Sequence, residues 1–477
     1  MRENTLKMAL VLGSGALIVL YLLLRRPDYL ASSGGLALLI GVEVVFAAVM
    51  KFTKIFFPIL MVVFLAAGSN IPEQSAFQQV RWILLGVGTV VGVAIYMKSH
   101  GHYFGTFHLI AIFCILSAMV SASVSQYPWE AKLKALSLAL LLIYAGSGGR
   151  LAAFGLRAET FFRGLVKACE VLTWFSGVAY LVFRWQFFGN PNSLGAVAGV
   201  VLVPVLLWGM LTCEPGGRRV RLSLELCLAV LLLMSSFSRA GISSTLVSCL
   251  LICAALRRYR LVIKGAAAIL VLALFAISVV PHSSYMPDVT PSQSLGDAYL
   301  YKGKVNAGIF GSRRSVWQET WSSIKENPWF GTGFGTSRVA EDMSAAQYAA
   351  HHVDSWILRE HGNSYLAIAE WTGLLGVVPF YLLVALTAGY ACRVFVWLRR
   401  SGNVFSPAVP AAAIVAAGLF HAMFEDWMFA VGYYLCVFFW VTAFILVDVL
   451  PWRVTIVEPR TILMPNPDDY LPVASGQ

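Results

Sequence analysis

Gly311-Ser312-Arg313-Arg314-Ser315-Val316-Trp317, Asn327-Pro328-Trp329-Phe330-Gly331-Thr332-Gly333 and His361-Gly362-Asn363-Ser364-Tyr365-Leu366 punctuate one polar stretch, Pro281 to Trp371. On either side of it the chain is a succession of apolar runs of roughly 20 residues, the length a helix needs to cross the hydrocarbon core of a bilayer. The 477-residue chain is 58% hydrophobic with a mean hydropathy of +0.74, and only 12% of it is charged. Soluble domains carry about 25% charged residues. The composition therefore specifies an all-α, polytopic membrane protein, and the runs predict about 12–14 transmembrane helices with one large soluble loop.

Before the polar stretch, spans read near 8–24, 30–50, 55–69, 82–97, 105–122, 135–147, 164–183, 193–212, 223–239, 241–256 and 262–280. After it they read near 372–397, 407–423 and 428–448. The expected organisation is thus N-terminal helices over 1–280, the loop over 281–371, three C-terminal helices over 372–448, and a Pro-rich polar tail over 449–477. The first apolar segment has no small-residue cleavage site after it and reads as an anchor.

Lys and Arg in short loops set the orientation. With both termini cytoplasmic, the inside loops collect Lys51 and Lys54, Arg150, Arg157 and Arg163, Arg218, Arg219 and Arg221, Arg257, Arg258 and Arg260, and Arg399 and Arg400. Outside short loops hold Arg81, Lys132, Lys134 and Arg184; Arg25-Arg26 breaks the pattern. This topology exports the large loop, to the periplasm in a Gram-negative cell. The same cytoplasmic clusters account for most of the formal net charge of +11, so the partners it implies are anionic lipid headgroups and not nucleic acid. All eight cysteines lie within or beside spans, which argues against a disulfide framework, and no Cys/His spacing suggests zinc.

Candidate residues concentrate at the loop and its borders. Arg239, in Ser238-Arg239-Ala240-Gly241, falls at a span junction. It reads either as a snorkelling interface residue or as an anion ligand, since a guanidinium fork suits phosphate oxygens. Ser312 to Pro328 predicts a helix capped by Ser312, with Trp317, Trp321 and Ile324 on one face. Arg313 and Arg314 then sit in its first turn, where cations oppose the macrodipole and an anionic partner would offset the cost. The alternative is an amphipathic helix on the membrane surface. The Gly331-Thr332-Gly333-Phe334-Gly335 run lacks a phosphate-loop lysine and reads as a reversing turn.

Four of the eight histidines, His282, His351, His352 and His361, lie in the loop, and a histidine there is suited to accept a proton from a sugar hydroxyl. His361 stands beside Asn363 and Tyr365 at the entry to the next span. Glu425-Asp426, in the short turn between the last two spans, either orients a catalytic group or caps a helix. There is no Asp-x-Asp pair of the kind that holds a metal-bound nucleotide donor, so no metal or cofactor is expected.

Taken in order, Gly189-Asn190-Pro191-Asn192, Ser238-Arg239-Ala240-Gly241, Arg313 four residues before Trp317, Asn327-Pro328 before Gly331-Thr332-Gly333, and Asn363-Ser364-Tyr365-Leu366 ahead of Gly373-Leu374-Leu375-Gly376 resemble the O-antigen ligase and polymerase family of bacterial membrane glycosyltransferases. The resemblance covers roughly Phe188 to Trp440. It implies an inner-membrane enzyme that moves a glycan from undecaprenyl diphosphate to an acceptor hydroxyl at the periplasmic face, in O-antigen or related surface polysaccharide assembly. The acceptor would be a glycan or a lipid-linked glycan.

The resemblance further implies that Arg239 and Arg313 bind the donor diphosphate, that Arg313 stabilises the leaving group, and that His361 activates the acceptor; Arg314, from its place in the same first turn, is a further diphosphate candidate, and Asn363, Tyr365, His351 and His352 are supporting candidates. The family's common form places its histidine directly before the asparagine, whereas Gly362 intervenes here. A repeat-unit polymerase of the same family is the alternative. A transporter of lipid-linked oligosaccharide is the rival from another class, and the concentration of polar residues in one external loop argues against it.

Overall fold

In the computed structural model, residues 49, 51–98, 104–154, 157–279, 311–337 and 360–451 are described. Among the described residues the regular structure is helical throughout. In chain order the helices are α1 (Phe52–Ala67), α2 (Gln74–Lys98), α3 (Thr106–Ser123), α4 (Pro128–Ala153), α5 (Arg157–Val182), α6 (Pro191–Thr212), α7 (Gly217–Ser235), α8 (Arg239–Ala255), α9 (Tyr259–Val279), α10 (Gly311–Glu326), α11 (Ser364–Ser401), α12 (Ala408–His421) and α13 (Tyr434–Asp448). Six of them, α2 to α6 and α11, are long and apolar enough to cross a membrane, and α1, α8, α12 and α13 are shorter apolar helices. This is an all-α polytopic membrane protein. The expected span 8–24, nearly all of 30–50, Arg25-Arg26, His282, His351, His352 and the tail beyond residue 451 lie outside the described residues.

Hydrophobicity around each helix decides its place. Helices α6 and α13 are apolar on every side and are buried almost completely, as a helix without a polar face must be. Around them, apolar side chains such as Val90 and Met97 on α2 and Phe113 and Leu116 on α3 remain exposed on helix flanks, the surface a lipid-solvated bundle presents. Close packing inside relies on glycine. A Cβ on Gly199 of α6 would stand 2.4 Å from the Gly241 carbonyl oxygen of α8, and one on Gly241 equally close to that of Gly195. Small residues let two backbones meet, and here they fix where Arg239 begins α8.

The residues flanking the bundle report its two ends. Lys134 donates to the Gly335 carbonyl of the loop, and Arg81 donates to the Gly432 carbonyl, 2.7 Å, in the turn before α13. Both outside-loop cations therefore lie at the end where the loop is. At the opposite end of α13, Asp448 accepts from Nε (2.6 Å) and Nη2 of Arg150, whose Nη1 contacts His108 Nε2 at 2.7 Å.

Two local readings differ from the structure. Helix α10 starts at Gly311, so Ser312 lies in its first turn and is not its cap. Its inward stripe runs through Arg313, Val316, Trp317, the fully buried Thr320 and Ile324, while Trp321 is exposed. Helix α11 runs from Ser364 but is broken at Gly373, so the end of the polar stretch forms a short helical segment ahead of the break and the span expected from residue 372 follows it. Asn363 explains the start: its Oδ1 accepts from the Tyr365 and Leu366 amides at 2.9 and 3.1 Å, an N-cap that hydropathy does not register.

Candidate functional site

Four elements converge at the loop end of the bundle. The first is the start of α8. Phe237 turns the chain with a positive φ of 49°, and Ser238 Oγ then caps α8 by accepting from the Gly241 amide at 3.2 Å. This presents half-buried Arg239 at the helix N-terminus. Asn190 caps α6 likewise, accepting from Ser193 N at 2.8 Å, and a Cβ on Gly195 would collide with the Ser238 side chain. The two separate sequence pieces, 189–192 and 238–241, thus belong to one packed corner.

The second element is α10, whose inward face carries Arg313. Its Nη1 donates to the Gly362 carbonyl and its Nη2 to Glu425 Oε1, both at 2.7 Å. The side chain is 21% exposed. Arg239 lies within range of its positive charge, so α8 and α10 bring two cations to one place. Arg314, next in sequence, points away and is exposed.

The third element is a kink. Gly373 has φ 56° and ψ −159° inside α11, which interrupts the helical hydrogen bonds. The freed groups are taken up by residues 328–333: Thr332 N donates to Glu370 O (2.9 Å), Gly333 N to Trp371 O (3.1 Å), Leu374 N to Pro328 O (2.8 Å) and Leu375 N to Trp329 O (3.1 Å). The glycine-rich run is a turn, as read, and one knitted into a broken helix. Gly331 must be glycine, with φ 71° and a hypothetical Cβ 2.4 Å from the Trp371 backbone. The turn also delivers Ser337, whose Oγ lies 3.4 Å from His361 Nε2.

The fourth element is the turn between α12 and α13. Ser364 fastens it to α11: its amide donates to Ala422 O (2.9 Å) and its hydroxyl to Glu425 O (2.7 Å). Met428 N donates to the same hydroxyl at 3.1 Å. Trp427 Nε1–H donates to His421 Nδ1 at 2.8 Å. The side chains of Glu425 and Asp426 consequently face the start of α11.

His361 is enclosed among these pieces, its side chain 1% exposed. Nε2 stands 3.1 Å from Glu370 Oε2, and Nδ1 stands 3.5 Å from Asp426 Oδ2, which also accepts from the His361 amide at 2.7 Å. Burial alone would favour the neutral ring, but the flanking carboxylates of Asp426 and Glu370 outweigh it and raise the pKa of His361. Asp426 shows the counterpart: burial works against its charge, yet its bonds to His361 hold its pKa below the ordinary value. Glu425 differs. Burial raises its pKa, the Arg313 guanidinium opposes that rise, and the charges of Asp426 and Glu360 add to it. The arrangement is a buried imidazole ring between two carboxylates, beside a partly exposed Arg313–Glu425 pair.

Of the residues singled out from sequence, Arg313 is bonded to the carbonyl of Gly362 beside His361, and Arg239 lies within range of the Arg313 charge. Asn363 and Tyr365 are spent on architecture: Asn363 caps α11, and the Tyr365 hydroxyl donates to Leu419 O at 2.7 Å. His351 and His352 lie outside the described residues. Sequence reading did not single out Glu370, a buried carboxylate in an apolar helix, although an acidic residue in such a setting is itself a pointer to a site. Glu425 and Asp426 were noted as a pair, but nothing in one dimension separates their partners.

Residues 224–381 match the family model described as O-antigen ligase. The match spans α8, α10, the glycine-rich turn, His361 and the kink of α11. No curated protein matches the chain.

Proposed function

From the match of residues 224–381 to the family model described as O-antigen ligase, we propose that this membrane protein is a glycan ligase with an undecaprenyl diphosphate-linked donor. It transfers the glycan to an acceptor hydroxyl at the periplasmic face of the inner membrane, without a metal. The observation that carries the reading is the convergence of Arg239 and Arg313 from separate helices. Glu425 already pairs with Arg313, and a diphosphate has the charge and the oxygens to take that place and to reach a second guanidinium fork.

The step is displacement at the anomeric carbon. The acceptor oxygen forms the new glycosidic bond as the bond from that carbon to the diphosphate oxygen breaks, and the lipid diphosphate leaves with the electron pair. Negative charge grows on the leaving group, and fixed cations stabilise the growing charge more than the ground state. A single displacement inverts the anomeric configuration. His361 was expected to be the base. Its burial and its two carboxylate neighbours give it a different task in this reading: a positioning cation that holds Asp426 and Glu370, and through Asp426 the turn that carries Glu425.

The test is purified protein in detergent with a lipid diphosphate glycan and candidate acceptors. Transfer that survives EDTA and is lost in Arg313→Ala supports the reading. Movement of intact donor across vesicles without a new glycosidic bond identifies a transporter instead. Product size separates the family's two activities: one block on a different acceptor marks a ligase, and a ladder of repeats on the lipid carrier marks a polymerase.

A further inference from the structure

We propose that Glu425 is the carboxylate that takes the acceptor's proton, and that donor binding releases it for that role by displacing it from the Arg313 fork. The inference rests on the glycosyl-transfer reading above and assigns its missing base.

Three observations carry it. First, His361 is 1% exposed and both ring nitrogens face carboxylates, so it cannot meet an acceptor hydroxyl without breaking those contacts. Second, Glu425 is 25% exposed and bonded directly to the guanidinium that the diphosphate would engage. A carboxylate and a phosphate compete for the same fork. Third, the backbone of Glu425 is held independently of its side chain. Its carbonyl accepts from the Ser364 hydroxyl at 2.7 Å and from the Ser364 amide at 3.1 Å, so the turn stays in place when the carboxylate swings. Asp426, its neighbour, is occupied by His361 through side chain and backbone. Adjacent acids therefore hold different jobs.

The electrostatics follow from what faces Glu425. Arg313 of α10 supports its charge, whereas burial, Asp426 in its own turn and Glu360 ahead of α11 oppose it. When the diphosphate engages Arg313, the supporting cation is shared and the opposing terms remain, so Glu425 becomes more basic as the donor arrives. The proton then passes from the acceptor hydroxyl to Glu425 while the acceptor oxygen bonds the anomeric carbon and the lipid diphosphate departs. Before donor binding the carboxylate is sequestered, which keeps an activated hydroxyl, including that of water, from forming without a donor in place.

The experiment is steady-state transfer by the full-length protein in detergent, with donor binding read separately by inhibition with a short-chain polyprenyl diphosphate. Glu425→Gln is expected to lower kcat by roughly 10²–10⁴-fold, the usual worth of a general base, while inhibition by the diphosphate stays equal or tightens because a neutral amide competes less for Arg313. The acid limb of the wild-type pH profile should be absent from the residual activity. A kcat within a few-fold of wild type overturns the proposal, and so does parallel loss of turnover and diphosphate binding in a folded variant, which makes Glu425 a support for Arg313. If the Gln variant does not fold, Glu425→Asp decides. Its retracted carboxylate should lower kcat with donor KM held, and an unchanged kcat contradicts the base role. A wild-type protein that transfers from no lipid diphosphate glycan sinks the underlying function, an outcome distinct from these.

Discussion

Arg313 donates to the carbonyl of Gly362, the residue that separates His361 from Asn363. Gly362 adopts φ 59°, and a Cβ there would stand 2.8 Å from Arg313 Nη1. The residue that interrupts the family's His-Asn pattern is thus the one that holds the guanidinium. In Gly362→Ala the left-handed backbone costs roughly 1–2 kcal/mol, and the flexible guanidinium yields before the backbone does. The expected result is a folded protein with weaker donor use. Loss of one hydrogen bond to a charged group corresponds to about a tenfold or greater rise in donor KM, measured by initial rates of transfer.

The two adjacent arginines should separate sharply. Arg313 bridges two acceptors and Arg314 is exposed. Arg313→Ala is expected to reduce kcat by about 10²–10³-fold, the scale of removing one donor to a developing oxyanion. Arg313→Lys should recover little, because one ammonium cannot reproduce the fork. Arg314→Ala should stay within a few-fold of wild type in the same assay, and a large loss there would relocate the diphosphate.

His421 is predicted to act through Trp427. Its Nδ1 accepts the buried indole N–H at 2.8 Å, which the amide oxygen of Asn can imitate and Leu cannot. Thermal unfolding in detergent should place His421→Asn near wild type. His421→Leu should fall below it by roughly 1–3 kcal/mol, the cost of an unsatisfied buried donor. Equal stability of the two variants would show that the indole bond does not matter.

The His361–Asp426 pair sets opposite pH dependences for its members. The folded pKa of His361 is raised above its ordinary 6.5. Its stabilisation is therefore complete below 6.5 and is lost as pH climbs through the higher folded value. Asp426 is depressed below its ordinary 3.8, so its share is present above 3.8 and disappears as pH falls through the folded value. His361→Gln should flatten the alkaline side of the unfolding profile and Asp426→Asn the acid side. Truncating His361 to Ala leaves Glu370 buried beside a void and should cost roughly 3–5 kcal/mol.

What the chain discloses in one dimension and what it conceals have physical causes. Helices α6 and α13 were readable because a buried span is apolar on every side. Arg239 and Arg313 were readable because a cation at a helix start needs a reason. Glu370 stayed hidden since one carboxylate barely lowers the hydropathy of a long helix, and the helical segment ahead of the Gly373 break stayed hidden because a cap by Asn363 leaves no hydrophobic trace. Trp321 faces outward against the reading of its spacing because the inner face of α10 runs through Arg313, Trp317 and Thr320. The division of work between Glu425 and Asp426 depends on Arg313 and His361, which lie far away in sequence.

In the proposed mechanism Arg239 and Arg313 jointly hold the diphosphate of a lipid-linked glycan donor. The most direct measurement is glycan transfer and inhibition by a short-chain polyprenyl diphosphate for Arg239→Ala, Arg313→Ala and the double variant. The account predicts that each single variant weakens inhibition and transfer, that both remain folded, and that the double loss departs from the sum of the two because both side chains serve one ligand. Full inhibition by the diphosphate in the folded double variant would contradict it.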